Sequence, residues 1–189
     1  MPKKEKVVFL SGKKVNLRPL RKETDLESAL RWINDPEVIR YLSIFLPQSA
    51  AQEEEWFDNL SKRQDDIVLA IETLKGIFIG IIGLHGINWK DRTAIRGTVI
   101  GEKKYWNKGY GTDAAMVLLN YAFNTLNLRK VCSSVLAFNE RSLRYQLGCG
   151  YRIIGRRHRQ VFKNGRYYDE IFLELFKNHW QKIWQEYNK

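Results

Sequence analysis

At 189 residues, with 44% hydrophobic and 13% aromatic content, the chain suits one domain with a substantial core and is not a disordered segment. Its 32 basic and 21 acidic residues give a net charge of +11, which favours a polyanion nearby over a polycation. No apolar run is long enough to suggest a membrane span, and two cysteines, Cys132 and Cys149, cannot build a disulfide framework.

The charged start Met1–Lys6 is followed only by Val7-Val8-Phe9-Leu10, too short for a secretory core, so a reducing cytoplasm is the expected compartment. Lys14–Leu20 reads as a strand ending at Pro19. Thr24 or Asp25 then caps a helix over Leu26–Ile33, which Asn34-Asp35-Pro36 stops. Ala50–Lys62 is a second helix with Glu53-Glu54-Glu55 near its start, where carboxylates suit the dipole. Ile67–Glu72 and Ile77–Leu84 are strands joined through Leu74-Lys75-Gly76, and the polar turn Asn88–Arg92 precedes a strand over Ala94–Gly101.

After that strand stands Trp106-Asn107-Lys108-Gly109-Tyr110-Gly111-Thr112. Ala115, Leu118, Leu119, Ala122 and Leu126 follow at the spacing of one helix face. Strand, glycine-bearing turn and helix N-terminus together form an anion pocket: glycines let the backbone approach, and free N–H groups and the dipole favour phosphate oxygens. The spacing is not that of a P-loop, since no Gly-Lys-Ser/Thr follows, and Ala114 stands where a dinucleotide fingerprint needs its third glycine.

A strand over Lys130–Leu136 carries Cys132, expected to be a small buried apolar residue, and leads to a helix over Asn139–Leu147. Asn139 at a helix start can bond the backbone and still offer an amide to a ligand, and Ser142 lies one turn on. Strands over Tyr151–Val161 and Arg166–Phe176 flank Lys163-Asn164-Gly165, a hairpin signal. From Arg141 through Tyr168 there are eight Lys or Arg and no acid, a solvated basic face or an attraction to phosphates, RNA or an acidic surface; no RNA-binding signature accompanies it. Trp180 and Trp184 mark either an interface or a C-terminal helix packed on the domain, and the second reading is preferred. Strands with interleaved helices give an α/β (α+β) protein, a mixed central sheet of about seven strands flanked by about four helices in one domain over residues 1–189.

The chain resembles the GNAT superfamily of acetyl-CoA-dependent N-acetyltransferases. It is most similar to the RimJ/RimL-type branch, which holds ribosomal-protein N-terminal acetyltransferases and related spermidine acetyltransferases. The likeness covers roughly Gly12–Trp180. It rests on Val15-Asn16-Leu17-Arg18-Pro19-Leu20, Trp32-Ile33-Asn34-Asp35-Pro36, Ile100-Gly101-Glu102-Lys103, Tyr105–Thr112, Phe138-Asn139-Glu140-Arg141-Ser142 and Asn164–Asp169. The resemblance implies that Trp106, Asn107, Lys108, Gly109, Tyr110, Gly111 and Thr112 hold the diphosphate of acetyl-CoA. Val99 and Ile100 would offer backbone bonds to pantetheine, and Asn139 and Ser142 would face the thioester. Trp106 stands where the superfamily usually has Gln or Arg, and Asn107 where Gly is common. No metal is implied.

Acetyl transfer needs a neutral amine. An alkylammonium titrates near 10.4 and an α-amine near 7.7, roughly, so a polyamine needs a base where a protein N-terminus does not. Glu102 and His85 are the candidate bases, each with the competing reading of an ordinary surface or strand residue. Many family members place a leaving-group tyrosine seven residues after the residue matching Asn139. This chain has Gln146 there, with Tyr145 displaced by one position, so either a shifted helix lets Tyr145 serve, or water or Ser142 assists thiolate departure.

The expected reaction is direct attack of an amine on acetyl-CoA, with a protein N-terminal amine as acceptor and a ribosomal protein or the ribosome as the partner considered. The alternatives are a polyamine or amino sugar, or a non-catalytic CoA-binding module. No membrane partner is expected, and monomer and homodimer stay open.

Overall fold

The computed structural model describes residues 8–189, so the charged start Met1–Lys6 and Val7 lie outside it. Eight strands form one sheet in the order β1-β2-β3-β4-β5-β6-β8-β7. They are β1 (Leu10–Ser11), β2 (Val15–Pro19), β3 (Ile67–Thr73), β4 (Phe78–Asn88), β5 (Thr93–Ile100), β6 (Lys130–Leu136), β7 (Arg152–Lys163) and β8 (Arg166–Phe176). The six α-helices are α1 (Lys22–Ile33), α2 (Pro36–Ile39), α3 (Ala50–Asn59), α4 (Tyr110–Asn120), α5 (Glu140–Gly148) and α6 (Lys177–Asn188). The mixed α/β architecture is as expected. Beyond the seven strands and four helices counted from the sequence come the two-residue β1 and the single turn α2, while α6 is the C-terminal helix that the preferred reading of Trp180 and Trp184 implies. Two compact units share the described residues: residues 8–83 with Thr98–Leu118, and Leu84–Gly97 with Leu119–Lys189.

In the first unit β2 pairs antiparallel with β3, from Val15 opposite Thr73 to Pro19 opposite Leu69, and Val15, Leu17, Ile71, Ile79 and Ile82 are fully buried. The buried Arg18 forks onto both oxygens of Asp25, at 2.7 and 2.9 Å, and meets Glu72 at 3.3 Å. This pairing corrects the start of the first helix. It begins at Lys22, four residues before Leu26, and neither Thr24 nor Asp25 occupies its N-cap; Arg21 does, with no side-chain cap. Asp25 still accepts from the backbone N–H of Arg21 at 2.8 Å, but from inside the first turn. The next long helix has the cap the first one lacks. Ser49 and Gln52 form a capping box at α3, which ends at Asn59 in a short 3-10 turn over Leu60–Lys62. The β3–β4 hairpin turns at Gly76, whose φ of +80° few side chains tolerate.

In the second unit β6 runs antiparallel to β8, and β8 to β7. β5 meets β6 in parallel only over Thr93–Ile95, so the ladder ends halfway along β5. Leu119, Ala122, Phe123, Leu128, Leu173 and Leu175 are buried here. The helical run from α4 closes in a π turn over Tyr121–Thr125, which leaves Leu126 half-exposed and buries Leu128 instead. Trp180 is fully buried, 5.9 Å from the Phe123 ring and 5.5 Å from Trp184, so the aromatics of α6 pack inward. Cys132 is half-exposed, not buried, whereas Cys149 is fully buried. Asn164 and Gly165, at φ +50° and +80°, make the expected hairpin turn.

The basic run is met by acids that follow it in sequence. Arg156 and His158 lie 3.2 and 3.3 Å from Asp169, and Arg157 lies 4.0 Å from Glu170. Between Arg157 and Val161 the register to β8 slips, and Asp169 fills the slip by accepting the Arg159 N–H at 2.9 Å.

Candidate active site

The first unit carries the glycine loop. β5 ends at Ile100, and Trp106 reaches back to donate its Nε1 hydrogen to the Ile100 carbonyl at 2.6 Å. That bond fixes the loop to the end of its strand and engages one acceptor site of the Ile100 backbone. Asn107 and Gly109 take φ of +58° and +80°, left-handed backbone that closes the loop just before α4 starts at Tyr110. Gly111 already lies in α4, and a Cβ there would meet Ile100 Cγ1 at an ordinary 3.6 Å. Positive φ is therefore demanded of Gly109 alone of the two glycines. Thr112 follows in the first turn, and Lys108 is exposed. Val99 and Ile100 are half-buried at the far end of β5, beyond the segment that pairs with β6.

Glu102 is set by packing. A Cβ on Gly101 would fall 2.0 Å from the Trp32 indole, so only glycine lets α1 seat against this point. Trp32 Nε1 then donates to Glu102 at 3.2 Å, and Arg31 pairs with the same carboxylate oxygen. Glu102 is thus an oriented carboxylate, gripped from one helix.

The second unit carries His85, Asn139, Ser142 and Tyr145. β4 runs past its expected end at Leu84, through His85 to Asn88, with Gly86 at φ +55°. The His85 ring occupies room that Gly97 leaves: its Nε2 lies 3.3 Å from where a Gly97 Cβ would stand. Asn139 caps α5, accepting the Ser142 N–H on Oδ1 at 3.1 Å, which leaves its amide N–H groups for another partner.

Tyr145 and Gln146 meet the same cation. Arg96, on β5 and only 2% exposed, donates to the Tyr145 hydroxyl, to the Tyr151 hydroxyl at 3.0 Å and to Gln146 Oε1. Gln146 in turn donates to Ser133 Oγ at 2.7 Å. α5 is continuous through both residues, so no shift of the helix carries Tyr145 into the place of Gln146. Burial pushes the Tyr151 hydroxyl up to about 12 and the Cys149 thiol up to about 11, with Arg96 opposing both.

Arg96 belongs to no motif, and its signal in the sequence is the alternation of β5, which puts it on the same face as the buried Ala94 while Ile95 is exposed. Lys14 and Asp113 carry no motif either, and the turn before β2 brings them to the glycine loop. Among the described residues no group of His, Cys, Asp and Glu has a metal-holding arrangement, and no helix is long and apolar enough to cross a membrane.

Residues 14–152 match the acetyltransferase (GNAT) domain model, and the chain belongs to that family. It is an acetyl-CoA-dependent N-acetyltransferase. The Escherichia coli K12 spermidine N(1)-acetyltransferase is 28% identical over 168 residues, 89% of each chain. The uncharacterized N-acetyltransferase YokL of a Bacillus subtilis prophage is 26% identical over 166 residues, 87% of this chain and 91% of that one. YdaF of Bacillus subtilis, whose name suggests a ribosomal N-acetyltransferase, is 30% identical over 106 residues, 56% of this chain and 57% of its own. In fold, the chain superposes with a TM-score of 0.83 on the crystal structure of Vibrio cholerae spermidine N-acetyltransferase in complex with CoA and spermine. That match has 23% identity and covers 88% of this chain and 98% of the other.

Proposed function

We propose that the chain moves the acetyl group of acetyl-CoA by direct attack of a primary amine, with the segment Trp106–Thr112 as the diphosphate cradle. The observation that carries this reading is the tie of Trp106 to Ile100 together with the positive φ of Gly109, which fix a row of N–H groups at the start of α4. Acetyl-CoA would lie with its diphosphate on that row and its pantetheine amides along Val99 and Ile100. Asn139 and Ser142 would face the thioester, and Tyr145, acting from its own place beside Arg96 and not from that of Gln146, would return a proton to the departing thiolate, with Ser142 or water as the alternative.

A small polyamine is the favoured acceptor, because spermidine acetyltransferases are among the relatives that align along nearly the whole chain. Its ammonium must shed a proton before attack, and His85 and Glu102 are the groups offered for that work. A protein N-terminal amine is the second reading. The ribosomal name of YdaF and the exposed arginines of β7 favour it, and it places the chain near the RimJ/RimL-type enzymes.

Thiol release from acetyl-CoA, measured across polyamines, amino sugars and peptides, tests both readings. The polyamine reading expects turnover with spermidine and a loss of about 10²-fold in kcat/KM when His85 or Glu102 is replaced by Gln and Ala in turn. Turnover with peptides alone selects the second reading. Tight CoA binding with no acceptor-dependent thiol release would refute both.

A further inference from the structure

The turn before β2 is locked to the glycine loop from two sides. Asp113, in the first turn of α4 and 3% exposed, accepts the backbone N–H groups of Lys13, Lys14 and Val15 at 3.0, 2.7 and 2.8 Å. Gly12 closes the turn, donating to the Val15 carbonyl at 2.8 Å. A Cβ at Gly12 would stand 2.5 Å from the Asp113 carboxylate, so the approach needs glycine. The Lys14 backbone is therefore fixed against α4, and its side chain has one short path outward. Its ammonium donates to the Lys108 carbonyl at 2.9 Å and lies 5.9 Å from the Tyr110 ring centre. The same ammonium is 3.2 Å from where a Gly109 Cβ would be.

This places a positive charge where the helix dipole is also positive, against the backbone of Lys108. Helix N-termini favour anions and repel cations, and the Asp113 carboxylate is turned to the backbone N–H groups of Lys13, Lys14 and Val15. An ammonium held there is of use when an anion lies between it and the N–H groups of the loop. We infer that Lys14 is a diphosphate-binding residue for acetyl-CoA, and that Asp113 is the positioning residue that delivers it. The inference rests on the proposed cradle at Trp106–Thr112. An ammonium has three donors, and the Lys108 carbonyl takes one, so two remain for phosphate oxygens. The chemistry selects the diphosphate, which the loop N–H groups also address.

The test compares acetyl-CoA, acetyl-dephospho-CoA and S-acetyl-pantetheine as donors for the intact enzyme and for Lys14→Gln and Lys14→Arg. Lys14→Gln is expected to lower kcat/KM about 10-fold with both nucleotide donors, the scale of one charge-assisted bond, and to leave acetyl-pantetheine unchanged. Lys14→Arg should recover most of the loss, and thermal melting should show both variants folded. An equal loss with all three donors would make Lys14 structural. A loss confined to acetyl-CoA would move it to the 3′-phosphate, and no loss would remove it from the site; each of these overturns the inference. Gly109→Ala separates it from the reading beneath. If Gly109→Ala also binds CoA normally, the cradle itself is wrong. If Gly109→Ala loses CoA while Lys14→Gln does not, only the role of Lys14 fails.

Discussion

Arg96 donates to the hydroxyl of Tyr145, and the two side chains also stack, with the guanidinium carbon 5.0 Å from the ring centre. The contact follows from the neighbouring places of Tyr145 and Gln146 in α5. With glutamine at position 146, the inward amide bonds Arg96 and Ser133, and the tyrosine one position earlier is turned by about 100° and left half-buried. A cation that donates to the phenol oxygen holds the ring in place.

For Tyr145→Phe we expect kcat to fall by about 10²-fold while the dissociation constant for CoA stays within about 3-fold, because only proton return to the thiolate is lost. Steady-state rates from pH 6 to 10 alongside CoA titration separate the two effects. An unchanged kcat across that range would assign the proton to Ser142 or to water.

The two glycines of the loop should differ in what they tolerate. Gly109 sits at φ +80°, where a side chain costs about 1–2 kcal/mol, and its backbone is part of the proposed cradle. Gly109→Ala should weaken CoA binding by about 10-fold or more. Gly111 is helical with ordinary room beside Ile100, so Gly111→Ala should stay within about 3-fold. Calorimetric titration with CoA checks both, and equal losses would contradict this division of roles.

Alkaline stability follows from Tyr151 and Cys149. Burial raises both groups above their ordinary values, to about 12 and about 11, so the folded chain holds these protons more tightly than the unfolded chain. Their contribution is complete below about pH 9 and is lost as pH rises through 11 and 12. Urea midpoints should therefore fall steeply between pH 9 and 11. Tyr151→Phe should start lower at pH 8, having lost the bond to Arg96, and then decline less steeply. A parallel decline in both proteins would show that Tyr151 does not carry the effect.

Much of the fold was legible because local rules and tertiary structure agree. β8 lies where the Asn164-Gly165 signal and its apolar alternation put it, and the glycine loop stands between strand and helix as read. What the sequence did not show depends on partners far along the chain. The start of α1 is set by an ion pair from Asp25 to Arg18. The setting of Glu102 depends on an indole from α1 filling the space over Gly101. The basic run gave no hint of Asp169 and Glu170, because its counter-charges follow it in sequence and meet it only through the β7–β8 pairing. Lys14 was hidden for the same reason, since 94 residues separate it from the carbonyl it bonds.

Glu53 offers a test in the acid range. It lies on the inward face of α3, four residues before the buried Phe57, and is 5% exposed. Burial raises its carboxyl above the ordinary value near 4.5, so the folded chain prefers it protonated. Its contribution to stability is then complete below that value and is lost as pH rises through the folded pKa, which leaves an ionised group destabilising the fold at neutral pH. Glu53→Gln keeps the shape and removes the charge. The variant should melt higher than the parent at pH 7.5, because the charge that burial disfavours is gone. At pH 4 the difference should shrink toward zero as Glu53 takes up its proton. Melting curves at the two pH values decide the matter: a gain of the same size at both would trace to packing, and a loss at pH 7.5 would mean that the carboxylate is held by an interaction stronger than its burial.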